Sequence, residues 1–210
     1  GPDLAHDQRR DDGGALVFDS KPLREPLEIL GAPCLNFEFS VDKPIAMVAA
    51  RLSDVRENGE VTRVTYGLLN LTHRESNRRP ASLEPGKRYR ATIRLNEAAH
   101  SFPAGNRLRL SLSTSYWPLA WAPPEPVTLT IHCTGTALTL PERTPREADR
   151  ALRPLGEATA ARALERTMLE KESHDWRVFS DLATDMLTLH VVDDRGSFQL
   201  ADNGLTVTSC

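Results

Sequence analysis

A turn followed by an alternating strand, at residues 98–115, constrains the fold more than any other segment of this 210-residue chain. Pro103 fixes φ for the second position of a tight turn, and Gly105 closes that turn. Beyond the turn, leucines alternate with arginines and serines: Leu108, Leu110 and Leu112 are interleaved with Arg107, Arg109, Ser111 and Ser113. This period of two predicts a strand that buries its leucines and exposes its arginines and serines.

Strand patterns separated by turn signals recur along most of the chain. Residues 35–41 alternate apolar and polar side chains, whereas residues 46–55 are more continuously apolar, as in a strand covered on both faces. The Asn58-Gly59 pair favours a tight hairpin turn into the next strand. Further strands are predicted near 15–19, 26–30, 61–69, 87–95, 127–133, 137–140, 175–182, 186–192, 197–202 and 205–208. Short strands at this spacing predict an all-β sandwich.

The pattern favours one folded domain with a short leader. Gly1-Pro2 resembles a protease-cleavage scar, and the polar residues 1–14 are expected to form a leader outside the fold. The domain itself is predicted to span residues 15–210, with a connector at 141–160 that is rich in proline, arginine and alanine.

Charge and cysteine content narrow the function classes. A net charge of −3 gives no field that favours nucleic acid, and no apolar run approaches the length needed to span a membrane. Cys34, Cys133 and Cys210 lack metal-binding spacing, so we expect small buried side chains in a reducing compartment and a cytoplasmic, bacterial location. A Cys34–Cys133 disulfide stays open as an alternative.

Four segments then occur in an order and spacing that resemble one family. They are residues 18–31, residues 51–59 followed by Gly67, residues 83–95, and the turn and strand at 98–115. Together they resemble the C-terminal, non-catalytic domain of the CocE/NonD family, the serine hydrolases of the cocaine esterase and X-Pro dipeptidyl-peptidase type. The resemblance implies a jelly-roll sandwich, galactose-binding-domain-like, that packs against an α/β-hydrolase domain of the same polypeptide. It also implies a strand around 164–171, where helix-forming residues favour a helix instead, and we predict the strand.

The implied function is non-catalytic. In the family, the nucleophilic serine and its partners precede this domain, and the chain contains no G-x-S-x-G motif. We therefore assign no catalytic residue, no metal and no cofactor. The fragment is expected to brace the catalytic domain of an ester or X-Pro amide hydrolase and to shape the substrate entrance. The alternative function is a carbohydrate-binding or other interaction module of jelly-roll fold, which exposed coplanar aromatic side chains on one sheet face would indicate.

The segment 116–126 contains the candidate interface or substrate-entrance residues. Two tryptophans and a tyrosine lie within six residues, with prolines on either side, which predicts a stiff apolar loop. The candidates are Tyr116, Trp117, Leu119 and Trp121. A plug over one end of the core is the alternative role. This loop also departs from better-known family members, as does Asn106, where the family often has histidine.

Other chemistry-bearing residues are expected to be structural. The six histidines lack zinc-like spacing. Ser111, Ser113 and Ser115 are expected on the polar face of a strand, solvated or hydrogen-bonded across strands rather than nucleophilic. A structural calcium ion near Asp54, Glu57, Asp193 and Asp194 remains an alternative. Arg51 and Asp54 recur in the family pattern and are expected to brace a loop or form an ion pair. Homo-oligomerisation is left open.

Overall fold

The computed structural model describes residues 7–184 and 186–208, and its chain divides into two compact units. One unit ends at Arg150 and the other begins at Ala151. The division lies inside the predicted connector 141–160. The sequence predicts a single domain from 15 to 210, whereas the contacts group the chain into these two units.

Nearly all regular structure is β-strand, which confirms the predicted fold class. The short helices are α1 (Arg9–Asp12) and two 3₁₀ turns at Leu71–His73 and Glu147–Ala151. The strands are β1 (Leu16–Asp19), β2 (Leu27–Gly31), β3 (Cys34–Val41), β4 (Met47–Val55), β5 (Val61–Asn70), β6 (Tyr89–Arg94), β7 (Ala98–Phe102), β8 (Arg107–Ser113), β9 (Leu129–Thr139), β10 (Arg166–Glu170), β11 (Ser173–Asp181), β12 (Met186–Asp194), β13 (Ser197–Leu200) and β14 (Thr206–Thr208).

Two antiparallel sheets enclose the core of the first unit. One sheet has the strand order β1-β8-β4-β5, the other has the order β6-β3-β9, and β2 pairs with β7 beside them. The core draws on both sheets, including Phe37 and Phe39 from β3, Leu52 from β4, and Leu110 and Leu112 from β8. This arrangement is the predicted sandwich, and its alternating residues face inward because one face of each strand is apolar.

The central strand β4 is buried over its whole length, as its continuous apolar pattern predicts. Val48, Ala50 and Leu52 belong to the core between the sheets. On the other side of the same strand, Arg51 and Ser53 are also buried. Both faces of the four-stranded sheet are therefore buried at β4. On the outer face, the buried side chains are polar.

Three local predictions need correction. The turn lies one residue further along than predicted, because the Asn106 N–H donates to the Pro103 carbonyl at 3.3 Å and Gly105 holds φ at +89°. Residues 98–102, which were predicted to belong to the turn region before β8, form strand β7 against β2. The expected leader is part of the fold from residue 7 onward. Helix α1 lies within it, and its last residue, Asp12, is buried.

The second unit contains two small sheets, in the orders β10-β13-β14 and β11-β12. Strand β10 confirms the predicted strand within 164–171. Apolar side chains in this unit stay exposed, among them Trp176, Phe179 and Leu182. Within the described residues, every buried apolar side chain lies between Ile29 and Tyr116, so the second unit adds none to the core.

Candidate functional site

The loop between β8 and β9 is anchored at its first aromatic residue. Tyr116 is buried, and its ring lies 5.6 Å from the ring of Tyr66 on β5. The Arg63 guanidinium donates a hydrogen bond to the Tyr116 hydroxyl. The guanidinium of Arg51 lies 5.5 Å from the centre of the same ring. Tyr116 is thus part of the packed structure and holds the start of the loop against the outer face of the four-stranded sheet.

The tryptophans that follow are progressively more exposed. The rings of Trp117 and Trp121 lie 5.2 Å apart, and the Trp117–Pro118 peptide bond is cis. Trp117 and Leu119 are half-buried, whereas Trp121 is 84% exposed. Among the described residues, no hydrogen-bond partner faces the buried Trp117 Nε1. The four candidates therefore divide into a buried anchor, two half-buried side chains and one tryptophan directed to solvent.

An apolar groove lies beside the exposed tryptophan. The segment before β4 and the end of the edge strand β5 form one wall, and the loop forms the other. Its residues are uncharged: Ile45, Ala46, Met47, Leu68, Asn70, Ala120, Trp121, Ala122, Pro123 and Pro124. Ile45 and Leu68 are themselves exposed. The groove is therefore suited to an apolar surface or side chain, because exposed apolar patches in soluble proteins usually mark contact sites.

One ion pair lies at the polar end of this loop. The Lys43 ammonium is 2.9 Å from the Glu125 carboxylate. The hydrogen bond to Glu125 holds the pKa of Lys43 above its usual value. The pair joins the segment before β4 to the proline-rich part of the loop.

The aromatic rings of the loop do not form the flat platform that is typical of carbohydrate-binding sites. The planes of Trp117 and Trp121 are inclined at 56°, so these two rings are not coplanar. Phe37, Phe39 and Phe102 are buried in the core. At this loop, the feature that would favour the alternative function is therefore not present.

Asp54 is a buried brace for the turn before β8. Its carboxylate accepts a hydrogen bond from Asn106 Nδ2 at 2.8 Å, and its other oxygen lies 3.1 Å from His100 Nε2. Asn106 therefore makes a polar contact at the position where the family often has histidine. In the part of the chain that the structure describes, no three histidine, cysteine or acidic side chains converge on a metal position. The calcium alternative gains no support from this arrangement.

The expected solvated face of β8 is wrong for two residues. Ser111 is fully buried and donates to the Asp12 carboxylate, and Arg109 is held by two carboxylates. Ser113 Oγ donates to the Ser115 carbonyl at 2.7 Å. Arg51 pairs with Asp12 rather than with Asp54, its neighbour in sequence. A charged residue, Arg51, within a strand predicted to be covered on both faces is the one sequence signal for this polar cluster.

The remaining candidates stay structural. The expectation of buried cysteines is wrong, because Cys34 is half-buried and Cys133 is exposed. Both are free thiols, so the alternative disulfide between them is not formed, and Cys210 lies outside the described residues. No helix in the described ranges has the length and apolar character needed to cross a membrane.

Comparison with known proteins gives consistent matches. The family model described as the X-Pro dipeptidyl-peptidase C-terminal non-catalytic domain matches residues 1–174. Cocaine esterase from Rhodococcus sp. (strain MB1 Bresler) is 26% identical over 109 residues, which is 52% of this chain and 19% of that protein.

Two solved hydrolase structures have a similar fold. An α-amino acid ester hydrolase is 25% identical with a TM-score of 0.61, and the match covers 67% of this chain and 28% of that one. An aminopeptidase from the marine sediment archaeon Thaumarchaeota archaeon shares the fold at 22% identity, with the same TM-score and the same coverage. The chain thus spans less than a third of the length of each relative.

Proposed function

Because this chain belongs to the family of X-Pro dipeptidyl-peptidase C-terminal non-catalytic domains, we propose that it braces the catalytic domain of a serine hydrolase and shapes the substrate entrance. The observation that carries the proposal is the apolar groove beside Trp121, a large side chain that is 84% exposed. Burial of an exposed tryptophan in a partner's pocket is a frequent source of binding energy at interfaces.

The construction of the loop supports this role. Tyr116 is buried against the outer face of the four-stranded sheet and fixes one end of the loop. The Lys43–Glu125 ion pair joins the other end to the segment before β4. Prolines 118, 123, 124 and 126 restrict the backbone in between. A loop that is already ordered loses less conformational entropy when it docks, so more of the contact energy remains for binding.

The parent's reaction belongs to the same proposal. A Ser-His-Asp triad in a preceding α/β-hydrolase domain would transfer an acyl group from an ester or X-Pro amide to water. The names of the relatives, an esterase and an ester hydrolase, support that reaction class. No residue of this chain is given a catalytic role. We also propose a bacterial cytoplasmic location, which the free thiols of Cys34 and Cys133 support.

The test is a Trp121→Ala variant in the full-length parent. We expect kcat/KM toward an ester substrate to fall about tenfold, the equivalent of losing about 1.4 kcal/mol of docking energy. Thermal unfolding of the 210-residue chain carrying the same change should stay within a few degrees, since Trp121 is not a core residue. The 210-residue chain alone should hydrolyse no ester above the buffer rate.

The control is Trp176→Ala, which removes the exposed tryptophan of the second unit. It should leave kcat/KM unchanged. A direct measure of docking subtracts the acrylamide quenching of a Trp121→Phe variant from that of the unaltered protein, so that the difference reports Trp121 alone in the 210-residue chain and in the parent. Quenching should be strong in the 210-residue chain and weak in the parent. Equal quenching in both would place the interface elsewhere and refute the proposal.

A further inference from the structure

A buried carboxylate-binding site lies on the outer face of the four-stranded sheet. Arg51 on β4 is directly opposite Ser111 on β8, and both side chains are fully buried. Arg109 on β8 lies opposite Ser53 in the same register. Because directly paired residues share one face of a sheet, two guanidinium groups and a hydroxyl converge above the same point.

The side chain that fills this site is Asp12. One of its carboxylate oxygens accepts from Arg51 Nη2 at 3.1 Å and from Ser111 Oγ at 2.7 Å. The other accepts from Arg109 Nη1 at 3.0 Å. Three donors on one buried carboxylate, two of them charged, form a strong and directional contact.

Asp12 ends a short segment that follows the sheet surface. We call residues 7–12 the strap. Its Gln8 N–H donates to the Val61 carbonyl on β5 at 2.8 Å, and its Gln8 Oε1 accepts from Arg51 Nη1 at 3.1 Å. The Val61 N–H in turn donates to the Asp7 carboxylate at 3.4 Å. The strap therefore contacts β4, β5 and β8.

The charges make the position of the strap specific. Arg51 is 1% exposed, and among the described residues Asp12 is its carboxylate partner. If the strap moved, a buried guanidinium would lose this partner, which is strongly unfavourable in a protein interior. A strap without Asp12 would lose three hydrogen bonds at once. The buried Arg51 guanidinium therefore needs the Asp12 carboxylate, and the strap needs the same contact to stay in place.

Arg51 also contacts the loop described above. The same guanidinium that binds Asp12 lies 5.5 Å from the centre of the Tyr116 ring, and Tyr116 anchors the aromatic loop. The strap and the groove beside Trp121 are thus joined through one buried side chain.

We propose that the Asp12 carboxylate locks the strap into this site, and that the lock fixes the path by which the polypeptide enters the sandwich from a preceding catalytic domain. The second part rests on the proposed function, because it requires a catalytic domain on the N-terminal side. Asp12, Arg51 and Arg109 are then positioning residues that set the angle between the two domains.

The first experiment tests the lock in the 210-residue chain by hydrogen exchange. Asp12→Ala should raise the exchange rate of the Gln8 amide at least about tenfold, because the strap opens without global unfolding. Amides of β3 should keep their protection. The matched control is Asp11→Ala, which removes the exposed neighbouring carboxylate and should leave Gln8 protected. Equal exchange in the two variants would overturn the lock.

Chemical rescue separates carboxylate binding from a general loss of structure. Formate supplies the group that Asp12→Ala lacks, and it should restore protection of the Gln8 amide. Chloride at the same ionic strength should not, and equal effects of the two anions would overturn the assignment of a carboxylate site. If Asp12→Ala fails to fold, Asp12→Asn is used, because it keeps the shape and removes the charge. Unchanged Gln8 exchange in that variant would also overturn the lock.

The second experiment tests the connection to catalysis in the full-length parent. Asp12→Ala should lower kcat/KM severalfold, and formate should restore it, while Asp11→Ala leaves it unchanged. If hydrogen exchange confirms the lock but kcat/KM does not move, the lock stands and its role in domain orientation is refuted. The Trp121→Ala result remains a separate test of the groove.

Discussion

At the scale of single residues, Asp19 and Arg109 show how a surface strand face acquires a structural role. Arg109 Nε and Nη2 each donate to one Asp19 carboxylate oxygen at 2.7 Å, a two-pronged contact between neighbouring strands. These hydrogen bonds hold the pKa of Asp19 below its usual value. The same contact, with a smaller contribution from Asp12, raises the pKa of Arg109. The ionised form of Asp19 is therefore favoured by folding.

This pair predicts a pH-dependent contribution to stability. A carboxyl group whose pKa is lower in the folded state stabilises the protein above its unfolded pKa, and the contribution is lost as pH falls through the folded pKa. Asp19→Asn should lower the free energy of unfolding by about 0.5–1 kcal/mol near pH 7, since the pair is partly exposed. The difference from wild type should shrink below about pH 4.

Urea unfolding of both proteins between pH 7 and pH 3 measures this difference. Asp11→Asn is the control. Because Asp11 is exposed, this substitution should leave the free energy of unfolding unchanged at both pH 7 and pH 3. A difference that stays constant down to pH 3 would show that the ion pair does not contribute in this way.

Alternation in the sequence correctly predicts which side chains of β8 enter the core, but it does not predict which of the others are exposed to solvent. Leu110 and Leu112 are core residues, and Leu108 packs against them, as the alternation indicates. Ser111 is buried as well, because Asp12, which lies 99 residues earlier in the chain, covers the outer face. No periodicity carries that information, since a polar strand face has the same pattern under solvent and under a strap.

At the scale of elements, strand β5 of the four-stranded sheet packs closely against β6 of the three-stranded sheet at Gly67. A Cβ at Gly67 on β5 would lie 2.7 Å from Ile93 Cγ2 and 3.1 Å from Leu95 Cα. Beside it, the Asn96 N–H donates to the Tyr66 carbonyl at 2.9 Å. The resemblance noted at Gly67 thus corresponds to a place where the edge strand meets the chain at the end of β6.

Gly67→Ala should destabilise the sandwich by roughly 1–3 kcal/mol through overpacking, because the branched Ile93 side chain and the backbone both limit adjustment. Gly156→Ala is the matched control, since no atom lies within 4 Å of a Cβ built there. Thermal unfolding of the two variants gives the comparison. Equal melting temperatures would show that β5 can move away at little cost.

Most elements with strong alternation were predicted within about two residues, but the two strands predicted at 127–133 and 137–140 are one strand, β9, and β7 was not predicted. Its sequence Ala-Ala-His-Ser-Phe has no β-branched residue, and two alanines give it little strand preference. It is a strand because Leu27–Gly31 lies beside it and pairs with it in register. Pairing with a segment about 70 residues away is tertiary information, which local propensity does not contain.

At the scale of the whole molecule, the two units differ in how they are stabilised. The first unit buries a continuous apolar cluster between two sheets. The second consists of a three-stranded sheet and a hairpin whose apolar residues, such as Trp176 and Phe179, are about half exposed. A two-stranded hairpin is marginally stable by itself in water. Strand patterns predicted both units equally well, because periodicity reports which residues alternate and not how much surface is buried.

The last prediction concerns independence of the first unit. A chain ending at residue 150 should fold, because every core residue of the described structure lies before that point. Its melting temperature should stay within about 4 °C of that of the 210-residue chain, the equivalent of about 1 kcal/mol. A chain ending at residue 125 is the control. It lacks β9, which is one edge strand of the three-stranded sheet. β9 contributes Leu129, Ile131 and Leu138 to the packing around the core. That shorter chain should not unfold cooperatively, as judged by circular dichroism. If the chain ending at residue 150 also fails to unfold cooperatively, residues 151–208 supply stability that their exposed side chains do not account for.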